Sequence, residues 1–128
     1  MPVLIVYGIP DDRGELFLER LSNELRKGMA EVVPLRITRD DVSIFFPCNL
    51  AQSGLGGEII VFVDGLFTKP ERNGSVRAQV AQKVIQVLSH NIRWGDGVKM
   101  ECFVRPFDPD GGFASLVTGG QPQAQSRA

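Results

Sequence analysis

Pro2 follows Met1 directly, and a chain relieved of that methionine presents the proline nitrogen as a secondary amine. Methionine aminopeptidases remove Met1 when the second residue is small, and that removal would leave Pro2 as the N-terminus. An α-amino group titrates near about pH 8 in water, and burial among apolar groups disfavours its charged form and lowers that value. A terminal amine that is neutral near about pH 7 is a competent general base, and a ring nitrogen has a fixed direction. The competing reading of Pro2 is a strand-start proline whose missing N–H costs nothing.

Other reactive residue types do not assemble into a second chemistry. His90 is the only histidine; it sits where a helix closes, a position at which a cation complements the helix dipole. With scattered carboxylates it gives no metal-ligand spacing, so neither a metal nor another cofactor is expected. Asp108-Pro109-Asp110-Gly111-Gly112 lacks the third oxygen ligand and the closing glutamate of a calcium loop, and reads as a turn. Gly54, Gly56 and Gly57 come before a strand, whereas a phosphate cradle needs a strand before it and a helix after; they read as a linker. Cys48 and Cys102 fall outside any C-x-x-C arrangement and read as small apolar thiols in a reducing compartment.

The elements that must position Pro2 belong to one domain. A chain of 128 residues with 43% hydrophobic and 23% charged residues buries one core and lies far from the composition of disorder. Fourteen basic residues balance fifteen acidic ones without a basic run, which argues against nucleic acid as a partner. Apolar runs such as 59–63 are strand-sized, and no charged n-region precedes an apolar stretch. Neither a membrane span nor a signal peptide is expected, and the chain reads as cytoplasmic.

Val3-Leu4-Ile5-Val6-Tyr7 is apolar without alternation, the pattern of a strand covered on both faces. Asp12, with Glu15 three residues on, predicts a capped helix over about 14–31, whose apolar face is Leu18, Leu21, Leu25, Met29 and Val32. Pro34 stops that helix, and residues 42–46 form a second short strand ended by Pro47. After the glycine-rich linker the pattern restarts: a strand over 58–63, Ser75 as N-cap, a helix lined by Val76, Val80, Val84 and Leu88, and a strand over 98–104. Trp94 is expected to pack over the end of that second helix. One shift of 56 residues superposes Pro2 on Glu58 and Val42 on Val98, an internal repeat of organisation rather than identity.

The sequence therefore predicts an α/β domain over 1–117 (α+β by some schemes). Two tandem βαβ units, about 1–50 and 57–117, form a four-stranded mixed sheet with two helices on one face. The first and third strands are apolar on both sides, so the second face needs a cover that an oligomer would supply. Residues 118–128, rich in Gly, Gln and Ser, are expected to be a disordered tail.

The Met-Pro start running into a strand, the two successive βαβ units of about 60 residues, and Gly54-Leu55-Gly56-Gly57-Glu58 between them together resemble the tautomerase superfamily. That group includes 4-oxalocrotonate tautomerase and macrophage migration inhibitory factor. The resemblance covers roughly residues 2–113 and is strongest to the bacterial tautomerase-like proteins in which two unequal halves share one polypeptide. It implies a homotrimer or hexamer, with the trimer favoured. It also implies a terminal proline, here Pro2, that moves a proton between carbon and oxygen of a small enol or keto acid.

Such chemistry needs cations for the carboxylate and the developing enolate. The places where 4-oxalocrotonate tautomerase carries its two arginines hold Asp12 and Ser43 here, with Arg13 next to the first. The shift of 56 sets Lys69 opposite Arg13 and Lys99 opposite Ser43, and Arg72 and Arg105 are further cations of the second half. Lys99 alternates with Val98 and Met100 and is expected to point away from the helices. Phe103, with Phe107 and Phe113, is a candidate apolar wall near Pro2. The rival expectations are an inactive oligomeric binding or scaffold domain of the same fold, and a ferredoxin-like small-molecule sensor with the same strand count.

Overall fold

The structure, a computed structural model, describes residues 2–48, 57–92, 97–119 and 122–123. Met1, the linker glycines Gly54 and Gly56, and Trp94 lie outside the described residues. The elements run β1 (Val3–Tyr7), α1 (Glu15–Ala30), β2 (Ser43–Phe45), β3 (Glu58–Phe67), α2 (Gly74–Asn91), β4 (Lys99–Phe107), β5 (Ser115–Leu116) and β6 (Pro122–Gln123).

The main sheet has the order β2-β1-β3-β4. β1 pairs with β2 and β3 with β4 in parallel, while β1 and β3 meet antiparallel at the centre. This is the pair of βαβ units that the sequence predicts, joined along their first strands. Both helices cover one face: Leu4, Val6, Ile59, Val61 and Val63 of the sheet pack with Leu21, Leu25 and Met29 of α1 and Val80, Val84 and Leu88 of α2. All of these are at most 1% exposed, and each such side chain contributes roughly 1.5–3 kcal/mol of transfer free energy. The helices approach closely at Gly28, where a Cβ would lie 2.9 Å from Val87 Cγ2.

Three local expectations are corrected. Asp12 caps no helix: residues Asp11–Arg13 form a 3-10 turn, and α1 starts from Gly14 at φ 79°, ψ 165°, a conformation that glycine alone adopts readily. The cap of α2 is Asn73 rather than Ser75, its side-chain oxygen accepting from the Val76 N–H at 3.1 Å. The shift of 56 holds for β2 and β4, where Ile44 maps onto Met100 and both pack on the core. It fails by one residue for β1 and β3, since it would carry buried Leu4 onto half-buried Ile60, on the opposite side of β3 from buried Ile59 and Val61. The register shows why: Val3 pairs with Ser43, whereas Ile59 pairs with Met100, one residue further along.

The face away from the helices is aromatic in its middle, between the Lys99–Glu101 and Arg105–Asp64 ion pairs. Phe62 stacks on Phe103 with ring centroids 5.5 Å apart, and Tyr7 meets Phe62 edge-on at 6.1 Å. Phe45, Phe103 and Tyr7 are 58%, 47% and 42% exposed in the single chain. Within the Gly/Gln/Ser-rich stretch, Pro122–Gln123 pairs antiparallel with Ser115–Leu116, whereas residues 120–121 and 124–128 lie outside the described residues.

Candidate active site

Antiparallel pairing of β1 with β3 sets the start of β1 beside the end of β3, and parallel pairing brings the end of β4 to the same edge of the fold. Pro2 is buried at this edge. Its carbonyl accepts from the Ser43 N–H at 3.2 Å, which ties the residue to β2.

On the other flank Val3 pairs with Asp64, and here β3 carries a bulge. Val63 pairs with Val104 and Leu66 with Pro106, so Asp64 and Gly65 together face Arg105 alone. Gly65 has φ 70°, in the left-handed region that glycine enters without steric cost, and bulges of this kind re-aim the side chains beside them. Up to Asp64 the register is regular, so Asp64 stands opposite Arg105 and the two form a forked ion pair: Arg105 Nε donates to Asp64 Oδ1 at 2.5 Å and Nη2 to Oδ2 at 2.6 Å. The Arg105 guanidinium also lies 4.2 Å from the Phe62 ring centroid. The hydrogen bond to Asp64 is the main cause holding the Arg105 pKa above its ordinary value.

Behind this edge, Phe67 packs against Phe113 at 4.9 Å and Phe107 at 6.4 Å. Lys69 follows in the loop that leaves β3 at the same end, half-buried. Arg72 is 2% exposed. It donates from Nη1 to the Phe67 carbonyl at 2.8 Å and from Nη2 to the Leu35 carbonyl at 2.9 Å. Burial lowers its pKa, with Glu71 opposing. These bonds make it a tie between the end of β3 and the 3-10 turn Val33–Leu35.

The remaining sequence candidates sit elsewhere. Lys99 opens β4 opposite Glu58 and forms an ion pair with Glu101 at 3.4 Å, on the strand face away from core-packed Met100. Arg13 lies in the turn after β1 with its guanidinium 5.8 Å from the Phe17 ring centroid. Both are at the opposite end of the sheet from Pro2, separated by the length of β1 at about 3.3 Å per residue. Phe103 lies between the two ends, stacked on Phe62 rather than beside Phe107 and Phe113. The structure thus brings Pro2, Lys69 and Arg105 to one end with Arg72 behind them, and leaves Arg13 and Lys99 at the other.

Asp64 was not legible as a site residue, although a glycine following it inside an apolar run is the ordinary mark of a bulge. Among the described residues no group of three or more His, Cys, Asp or Glu side chains converges on a common point. Burial pushes the Cys102 thiol up to about 12, which suits a small apolar residue packed on the core. No helix among the described residues is long and apolar enough to cross a membrane.

No family model matches the sequence, and no curated protein matches it. Solved structures match in shape. N1, a member of the cis-3-chloroacrylic acid dehalogenase (cis-CaaD) family, superposes with a TM-score of 0.64 at 9% identity, over 96% of this chain and 84% of that one. A fused 4-OT, the wild-type F6 asymmetric trimer, gives 0.63 at 14% identity over 94% of each chain. FG41 malonate semialdehyde decarboxylase inhibited by 3-bromopropiolate gives 0.62 at 16% identity over 92% and 91%. At such identities the shared property is the fold.

Proposed function

We propose that this chain, which carries the fold of the tautomerase superfamily, is an enzyme that uses Pro2 as a general base for keto-enol tautomerisation of a small carbonyl acid. The observation that carries the reading is the placement of a buried Pro2 at the edge of the sheet that also holds Arg105. The structural neighbours support it, since two of them are named for chemistry on small acids, a malonate semialdehyde decarboxylase and a 3-chloroacrylic acid dehalogenase relative.

The chemistry requires loss of Met1 and proceeds without change of oxidation state. The neutral nitrogen of Pro2 takes the enol O–H proton, the oxygen lone pair re-forms the carbonyl, and the protonated amine returns a proton to carbon. Burial favours the neutral amine over the ammonium. Arg105, with its planar and permanently charged guanidinium, holds the carboxylate or the enolate oxygen, and Lys69 is the second cation of that end. The reaction needs no metal or cofactor.

The protein is proposed to act as a cytoplasmic homotrimer. Three copies would cover the aromatic sheet face, and the fused 4-OT neighbours are trimers. In that arrangement Arg13 and Lys99, which lie far from the proline of their own chain, serve only a proline of another copy. The second reading, an oligomeric binding domain without catalysis, is favoured by one observation: Asp64 already neutralises Arg105. Intact-mass measurement coupled to a ketonisation assay with phenylenolpyruvate separates the two. The proposal expects a mass lacking Met1 and measurable turnover, whereas retention of Met1, which blocks the amine, favours the binding domain.

A further inference from the structure

Arg105 is the cation best placed to hold a substrate anion, yet one edge of its fork is taken. Asp64 accepts from both Nε and Nη2, leaving the edge formed by the two terminal nitrogens for anything else. The pair is neutral as a unit, so an incoming carboxylate meets an arginine whose charge is already balanced at contact distance.

This arrangement is built by the backbone. Asp64 faces Arg105 in the regular register of β3 and β4, on the side of the sheet that carries Phe62 and Phe103, and the bulge at Gly65 breaks that register directly after it. Without the extra residue, the strand alternation would set the side chains past this point on the other face. In the single chain the side chains of Arg105 and Asp64 are 56% and 28% exposed.

We propose that Asp64 is a specificity-determining residue of the site: it fills the fork of Arg105 with an internal carboxylate and thereby raises the threshold for binding an external one. A substrate acid binds by sharing the guanidinium end-on. The inference rests on the reading of Arg105 as the anion holder. It does not depend on Pro2 being the base.

The test is equilibrium binding of phenylpyruvate and of its neutral methyl ester, by calorimetry, to the full chain and to Asp64→Asn, which keeps the shape and removes the charge. Removing a negative charge about 5–6 Å from a bound carboxylate in a wet site is expected to tighten the acid about three- to tenfold. The ester should be unchanged, and the gain should shrink as salt is raised. The same measurement in a Pro2→Ala background separates this inference from the catalytic reading, because binding there is independent of the base. Adding Arg105→Ala to Asp64→Asn should abolish the gain. Should Asp64→Asn fail to fold, Asp64→Ser is read in its place. Equal affinities of parent and variant for the acid, equal tightening of acid and ester, or a gain that survives loss of Arg105 would overturn the inference.

Discussion

The guanidinium of Arg72 donates to the carbonyl of Leu35 at 2.9 Å, across 37 residues of sequence and between the two halves of the domain. A second bond from the same group holds the Phe67 carbonyl. Both carbonyls belong to segments that frame the Pro2 end of the sheet: the turn that precedes β2 and the last residue of β3. Arg72→Ala leaves them without these donors in the interior, and loss of two buried charge-assisted bonds costs about 3 kcal/mol or more. Urea denaturation should show that loss. A change under about 1 kcal/mol would mean that Arg72 is a surface charge and no tie.

Gly8 has φ 96°, and a Cβ there would sit 1.9 Å from the Glu58 carbonyl oxygen. Gly14 also has positive φ, 79°, but a Cβ would meet nothing within 4 Å. Gly14→Ala should therefore cost strain alone, roughly 1–3 kcal/mol. Gly8→Ala adds a clash with backbone that has no room to move, so it should lower the melting temperature clearly further. Equal losses for the two variants would show that the close approach of β1 to the start of β3 is not as described.

Burial raises the Cys102 thiol from its ordinary 9.0 to about 12. The folded chain thus holds this proton more tightly than the unfolded chain. Its contribution to stability is complete below about pH 9 and is lost as the pH rises toward about 12. Denaturation midpoints are expected to fall across that window, and Cys102→Ala should flatten the fall at the cost of a small cavity. An identical alkaline slope in the variant would assign the loss to other groups.

The repeat, the helix faces and the sheet composition were legible in the sequence because they rest on periodicity. Val76, Val80, Val84 and Leu88 recur every four residues, and all face the core. The helix starts were not. Asp12 and Ser75 have the right side chains, but the backbone turns at Gly14 and Asn73 decided where each helix begins. The Pro2 end of the sheet was legible as a set of residue types and not as a grouping. Arg72, Arg105, Lys69, Lys99 and Arg13 are all cations by sequence, and only the antiparallel meeting of β1 and β3 sorts them to two ends. Asp64 was hidden because a strand read as ending at Val63 gives the next residue no partner. The shift of 56 failed for a different reason: the two parallel strand pairs differ by one residue in register, which leaves composition untouched and reverses every face.

The central claim is that Pro2 is the base. Its direct test is the rate of phenylenolpyruvate ketonisation by Pro2→Ala, in protein whose mass confirms loss of Met1 and whose fold is intact by circular dichroism. Positioned general bases contribute about 10²–10⁴-fold, so Pro2→Ala should lower kcat/KM by at least about a hundredfold. Equal rates for variant and parent would contradict it.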